Sequence, residues 1–178
     1  MKVHEEHKTH APKKIKIALI VVSTSRHEEQ KIKKTTSDKT IPLVKEILNK
    51  RVNISLESTE IIPDAKKDIM NTLNEKIKSK TINSVIFSGG TGLSPKDMTY
   101  DLIEPKIEKK IDGFGELFRA LSYEEIGASA MLSRATAGKI NDKIIFLLPG
   151  SPNAVKLALE KLILPEIGHI LYIINKKE

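Results

Sequence analysis

The chain has 178 residues, the length of a single domain, and 39% of them are hydrophobic, which is enough for a real core. It has no cysteine, which excludes disulfides and thiolate chemistry, and no apolar run approaches the roughly 20 residues of a membrane span. The first residues lack the apolar segment of a signal peptide, so we predict a soluble cytoplasmic protein without membrane contacts. The net charge of +7 would suit nucleic acid, but only 4% of residues are aromatic and no recognition motif is present, so we do not expect that partner.

The amino-terminal residues 1–14 are polar and mostly basic, which predicts a disordered tail ahead of one domain over residues 15–178. His4, His7 and His10 recur in this tail and could form a metal-binding tract. A flexible segment does not pre-organise ligands, so a polar tail without a metal is the favoured interpretation.

Five segments of the domain have the composition of β-strands. They are rich in β-branched residues or alternate between apolar and polar side chains, and polar or turn-forming residues bound them. The predicted strands cover residues 15–22, 52–56, 84–87, 135–140 and 143–148. Asn141 and Asp142 separate the last two segments and predict a tight hairpin turn.

Helical patterns alternate with these strands, and a charged loop is predicted over residues 27–36. The first predicted helix is capped by Ser37 or Asp38 and ends near Lys50, the second is capped by Asp64, and the third covers residues 97–105. One or two short helices are predicted within residues 111–132, with interruptions at Gly113, Gly115 and Gly127. Two more helices begin at Pro152 and Pro165. We therefore predict an α/β fold, a three-layer α/β/α sandwich with a mostly parallel sheet and an antiparallel edge hairpin.

Four polar segments follow predicted strands, at residues 23–26, 62–64, 88–92 and 149–153. Ligands of such sheets bind beyond the carboxyl ends of the strands, so we expect these segments to meet at one edge. Residues 88–92, the glycine loop, contain three glycines that let backbone N–H groups approach a phosphate. Taken alone, the loop is equally well explained as a plain turn, and Ser151 is better explained as a helix cap.

Asp64 and Asp97 stand at predicted junctions between loops and helices. An isolated aspartate at such a junction is normally a cap, but a carboxylate beside a phosphate-binding loop also suits Mg²⁺. Phosphoryl or nucleotidyl transfer requires positioning and charge neutralisation, not a protein nucleophile, and the sequence has no convincing Ser-His-Asp set.

These motifs, taken in order, resemble the MoaB/MogA molybdopterin-binding family, whose fold also occurs in the gephyrin G domain. The glycine loop followed by residues 96–99 (KDMT) is similar to the GGTG…[RK]DxT signature of that family. Further similar segments are residues 62–64, 113–119, 132–138 and 148–155, and the terminal histidine is His169.

The resemblance implies that residues 15–178 form a molybdopterin-binding domain that assembles as a trimer or hexamer. It implies adenylylation of the terminal phosphate of molybdopterin with Mg-ATP, release of pyrophosphate, and transfer of the product to a molybdenum-inserting enzyme. Asp64 and Asp97 match the catalytic acidic positions, and we also assign them to Mg²⁺. The residues that match substrate- and nucleotide-binding positions are Ser23, Ser88, Gly89, Gly90, Thr91, Gly92, Pro149, Gly150 and Ser151.

Two positions depart from the family pattern. Residues 38–41 lack the glycine of its Asp-x-Ser-Gly segment, which affects the expected loop shape near Ser23, and Tyr100 stands where proline is common. A non-catalytic molybdopterin-binding or carrier protein therefore remains the alternative to an adenylyltransferase. A related hydrolase of nucleotide derivatives is a further alternative, although we see no additional domain for it.

Overall fold

The computed structural model describes residue 12, residues 14–33 and residues 36–176. The predicted tail and its three histidines lie outside these ranges, except for Pro12 and Lys14. The predicted disorder of the tail therefore stays a prediction.

The described residues form one six-stranded mixed sheet with the order β2-β1-β3-β6-β5-β4. The strands are β1 (Ile15–Val22), β2 (Ile54–Ile62), β3 (Ser84–Ser88), β4 (Lys109–Lys110), β5 (Thr136–Ile140) and β6 (Lys143–Leu148). β2, β1, β3 and β6 are parallel, whereas β5 runs antiparallel to β6 and β4 antiparallel to β5. In the register, Ser88 pairs with both Val21 and Leu148, so the parallel strands end together at one edge.

Helices cover both faces of the sheet. They are α1 (Thr24–Lys33), α2 (Thr40–Asn49), α3 (Lys66–Lys78), α4 (Thr99–Ile103), α5 (Asp112–Ile126), α6 (Pro152–Ala158) and α7 (Leu164–Asn175), with 3₁₀ turns at Glu104–Lys106 and Gly127–Leu132 and a π turn at Leu159–Ile163 between α6 and α7. Among the helices that the structure describes, none has the length and apolar character needed to span a bilayer.

Successive side chains of β1 point to opposite faces of the sheet and enter two separate hydrophobic cores. Leu19 packs in one core with Val44 of α2 and Phe118 of α5, and Ile20 packs in the other with Leu73 of α3. Each side chain of this kind contributes about 1.5–3 kcal/mol when fully buried. The two cores confirm the predicted three-layer sandwich.

Two segments predicted as loops are regular elements. Most of the charged loop predicted over residues 27–36 belongs to α1, which has no buried residue and so lacks an apolar stripe. Ile62, the first residue of the predicted polar segment 62–64, and Ile61 before it complete β2, where they pair with Val22 and Val21 of β1.

Two further predictions about local structure were wrong, and one strand was not predicted. Asp64 does not cap α3, whose N-cap position is Ala65. Gly113 and Gly115 do not interrupt α5; a Cβ on Gly115 would lie 2.6 Å from the carbonyl oxygen of Ala135, so this glycine allows close packing of the helix on the chain entering β5. The short strand β4 was not predicted, because its two lysines carry no strand signal.

Candidate functional site

An open cleft of about 520 Å³ lies at the carboxyl ends of β1, β3 and β6. One wall consists of three of the four predicted strand-end segments, which contribute residues 23, 25–26, 89–92 and 149–150. The 3₁₀ turn after α5 and the residues that follow it form the opposite wall. The predicted convergence is therefore present for three segments, whereas the fourth, residues 62–64, does not line the cleft, and its Asp64 packs against Gly90.

Cavities of about 580 and 760 Å³ lie elsewhere, beside the edge strand β2 and at the amino end of β6. Neither contains a strand-end motif. Convergent chemistry, not volume, therefore selects the cleft as the candidate site.

The glycine loop adopts a backbone that requires glycine at two positions. Gly89 and Gly90 have φ angles of +107° and +65°, in the left-handed region. The Gly89 N–H donates to the carbonyl of Leu148 at 3.0 Å, and a Cβ on Gly89 would collide with the Val22 carbonyl oxygen. The carbonyl of Gly90 accepts from the Thr99 N–H at 2.8 Å. The loop is thus fixed between the strand ends and α4.

The two predicted carboxylates lie directly against this loop. Asp64 Oδ1 accepts the Met98 N–H at 3.1 Å, and Asp97 Oδ2 accepts the Ser94 N–H at 3.1 Å. A Cβ on Gly90 would lie 2.5 Å from Asp64 Oδ2, and a Cβ on Gly92 would lie 2.7 Å from Asp97 Oδ2. The glycines therefore give both carboxylates room to approach the loop, a role that the sequence did not suggest.

The donor set around these carboxylates fits a magnesium ion that takes some of its ligands from the protein and the others from a phosphate. Within the described residues, Asp64 Oδ2 and Asp97 Oδ1 make no hydrogen bond, and the buried Thr99 hydroxyl beside Gly90 also has no partner. In the part of the chain that the structure describes, no three His, Cys, Asp or Glu side chains are grouped so that they could hold a metal ion by themselves. Mg²⁺ commonly takes one or two carboxylates and completes its shell with phosphates and water.

Burial is the main influence on the pKa of Asp64 and raises it above the ordinary value of an aspartate. The Met98 N–H opposes this increase in pKa, and the negative charge of Asp97 adds to it. Compared with the unfolded state, the folded state therefore binds the proton of the Asp64 carboxyl more tightly. This contribution to stability is complete at pH values below the pKa of the unfolded state and is lost as the pH rises through the folded pKa.

We expect the Asp64 carboxyl, followed by NMR, to titrate above an ordinary aspartate. Asp97→Asn removes a nearby negative charge and should lower that pKa. Asp101 provides an internal comparison, because its hydrogen bonds from Arg134 lower its pKa. An ordinary pKa for Asp64, or a pKa that is the same in the wild type and in Asp97→Asn, would contradict this account of the site.

Arg134, which lies in the family-like segment 132–138 but was not predicted as a site residue, holds the glycine loop from the other side. Its guanidinium donates to the carbonyls of Thr91 and Gly92 at 3.0 and 2.6 Å and forms a fork on Asp101 at 2.7 and 3.1 Å. It also lies 4.5 Å from the ring centroid of Tyr100, within cation–π distance. Tyr100, the departure from the family pattern, thus supports the residue that fixes the loop.

The predicted binding residues divide into two groups. Most line the cleft: Ser23, Gly89, Gly90, Thr91, Gly92, Pro149 and Gly150. Two do not: the buried Ser88 hydroxyl donates to the Pro149 carbonyl at 3.1 Å, and Ser151 caps α6 by accepting the Ala154 N–H at 3.2 Å. Lining residues that the prediction omitted include Ser25, Arg26, Ser129, Ser133 and Arg134.

Residues 18–169 match the sequence profile of a family described as "Probable molybdopterin binding domain". The chain belongs to this family. The chain is 40% identical to the molybdenum cofactor biosynthesis protein B of Bacillus cereus, over 97% of this chain and 98% of that protein. It is 43% identical to the probable molybdopterin adenylyltransferase of Methanocaldococcus jannaschii, over 89% of this chain and 93% of that protein.

Solved structures agree with this assignment. The tungsten cofactor synthesizing protein MoaB from Pyrococcus furiosus superimposes with a TM-score of 0.78 at 40% identity, covering 93% of this chain and all of that one. A crystal structure of a molybdenum cofactor biosynthesis protein B gives a TM-score of 0.83 at 39% identity, covering 94% of this chain and 99% of that one. The resemblance to the MoaB/MogA family is therefore confirmed.

Proposed function

We propose that this protein adenylylates the terminal phosphate of molybdopterin with Mg-ATP in molybdenum cofactor biosynthesis. The observation that carries the proposal is the packing of two carboxylates, Asp64 and Asp97, against a glycine loop at the carboxyl ends of the parallel strands. The name of the Methanocaldococcus relative supports the same reaction, and that of the Bacillus relative supports a place in molybdenum cofactor biosynthesis.

In this reaction an oxygen of the molybdopterin phosphate attacks the α-phosphorus of ATP. A new P–O bond forms while the bond from the α-phosphorus to the oxygen bridging to the β-phosphate breaks, and pyrophosphate leaves with that electron pair. No protein nucleophile is needed, so the contribution of the chain is to position the two phosphates and balance their charge.

Residues of the cleft and Asp64, which packs against the glycine loop, divide these tasks. Asp64 and Asp97 would hold Mg²⁺, which when bound neutralises charge on the phosphates. The backbone of residues 89–92 lines the cleft and packs against both carboxylates, which brings phosphate and metal sites together. Arg134 donates hydrogen bonds to the carbonyls of Thr91 and Gly92 and so holds the loop in position.

The proposal extends to the surroundings of the reaction. We place it in the cytoplasm, with the adenylylated product passing to a molybdenum-inserting enzyme. We also propose a homotrimer or a hexamer, supported by the exposed apolar side chains of Leu117, Tyr123 and Met131 on and after α5, which a subunit contact would cover.

The test is incubation of the protein with molybdopterin, ATP and Mg²⁺, with detection of adenylylated molybdopterin and pyrophosphate. Both products should form in equal amounts, and EDTA should abolish them. Binding of molybdopterin without product would favour a non-catalytic carrier protein instead. Absence of both binding and product would contradict any molybdopterin function for the cleft.

A further inference from the structure

A second arginine, Arg26 in the first turn of α1, lines the cleft on the side of β1. Its Nη1 atom lies 3.3 Å from Oδ1 of Asp38, and this is the one hydrogen bond of the guanidinium within the described residues. The Asp38 side chain is fully buried, whereas the Arg26 side chain is 27% exposed. A buried carboxylate thus anchors one end of a guanidinium that remains accessible from the cleft.

The two arginines of the cleft differ in how many of their donors are in use. A guanidinium has five N–H donors. Arg134 spends four of them on Thr91, Gly92 and Asp101. Arg26 spends one, in a bond longer than either arm of the Arg134–Asp101 fork. Arg26 therefore keeps four donors for a ligand, whereas Arg134 keeps one.

The neighbours of Arg26 also suit an anion. The Ser23 and Ser25 hydroxyls lie 3.3 Å apart beside it, and both residues line the cleft. The carboxylate one turn along α1, Glu29, is occupied elsewhere, because it accepts the Ser37 N–H and hydroxyl at 2.8 and 2.7 Å and lies 3.9 Å from Lys33.

We propose that Arg26, with the hydroxyls of Ser23 and Ser25, forms a phosphate-binding subsite of the cleft that is separate from the glycine loop. Asp38 is its positioning residue, because it orients the guanidinium without lining the cleft itself. This inference rests on the proposed function for the identity of the phosphate, which belongs either to ATP or to molybdopterin. The chemistry recognised is the same in both cases.

A purely structural ion pair is the rival interpretation. Asp38 Oδ2 also accepts the Ile41 N–H at 2.7 Å, so the pair connects α1 to the start of α2. A structural pair would affect the melting temperature and leave substrate affinity unchanged, and this difference makes the two interpretations separable.

The test compares Arg26→Gln, Arg26→Lys and Asp38→Asn with the wild type. We expect Arg26→Gln to raise KM for either ATP or molybdopterin by about tenfold to a hundredfold, the effect of losing a charge-assisted hydrogen bond, with a smaller change in kcat. The substrate whose KM rises identifies the phosphate. Arg26→Lys should be intermediate, because lysine keeps the charge and loses the planar fork. Affinity for adenosine, which has no phosphate, should not change.

Two arms keep the proposal falsifiable. Arg51→Gln is the matched control, an exposed arginine outside the cleft, and should leave both KM values unchanged. Adding Asp38→Asn to Arg26→Gln should raise KM no further, because Asp38 acts through Arg26. Unchanged KM values in Arg26→Gln, with only a lower Tm, would overturn the proposal.

Calorimetric binding of Mg-pyrophosphate separates this inference from the adenylylation proposal. One outcome is that the wild type forms no adenylylated molybdopterin but binds pyrophosphate, and that Arg26→Gln weakens this binding. The subsite then stands and the adenylylation proposal fails. If neither pyrophosphate binding nor either KM depends on Arg26, the subsite is wrong whatever reaction the protein catalyses.

Discussion

Asp97→Asn is expected to reduce the rate of molybdopterin adenylylation on the order of a thousandfold while the fold stays intact. Asparagine keeps the size of the side chain and an oxygen that accepts the Ser94 N–H. It loses the negative charge that the proposed Mg²⁺ requires. Loss of about 4 kcal/mol of transition-state stabilisation, within the several kcal/mol that a metal contributes, corresponds to this factor.

The measurement is product formation at saturating Mg-ATP, with calorimetry on the same samples to check folding. Asp112→Asn is the matched control, since Asp112 is exposed at the start of α5 and outside the cleft. Removing its charge should cost about 0.3–1 kcal/mol of stability and leave the rate unchanged. If the rate of Asp97→Asn is within tenfold of the wild-type rate, Asp97 takes no part in the reaction.

The accuracy of the strand predictions follows the burial of the strands. β1 was predicted to the residue, because a central parallel strand is apolar on both faces and its whole sequence reports this. β2 lies at the sheet edge, and its residues 57–60 are polar, so the alternation that predicted its beginning disappears before Ile61. Sequence patterns report burial, and edge strands are only partly buried.

The same reasoning explains why α1 was predicted as a loop. Its residues are polar except for the exposed Ile32, and none is buried. Hydrogen bonds hold it in place: the His27 Nδ1 atom lies 2.9 Å from the Ile61 carbonyl oxygen, and Arg26 contacts Asp38. Because these contacts leave no hydrophobic period in the sequence, Arg26 was missed together with its helix.

The functional residues could be predicted individually but not as an arrangement. Asp64 and the glycine loop were both recognised, yet Asp64 is held beside the loop by a hydrogen bond from the N–H of Met98, 34 residues further along the chain. Arg134 binds Gly92 across 42 residues. Such contacts depend on tertiary packing, which no local spacing records. The fit of the glycines around the carboxylates was likewise visible only in three dimensions.

Gly90→Ala should disturb both the stability and the chemistry of the protein. An alanine at φ +65° costs roughly 1–2 kcal/mol in the left-handed region. Its Cβ would lie 2.5 Å from Asp64 Oδ2 and would collide with the buried Thr99 hydroxyl. Thr99 is enclosed on all sides, so the Asp64 carboxylate is the group that must move. We expect the adenylylation rate to fall about a hundredfold, since displaced catalytic groups lose this much.

Rates and unfolding free energies of three glycine variants distinguish displacement of Asp64 from general strain. Gly113→Ala is the control: its Cβ meets nothing within 4 Å inside α5, so it should be neutral or stabilise by up to about 1 kcal/mol at an unchanged rate. Gly92→Ala has no positive φ, and its Cβ approaches only Asp97, so it should reduce the rate with little loss of stability. If Gly90→Ala is destabilised but fully active, the close approach of Asp64 to the loop has no part in the reaction.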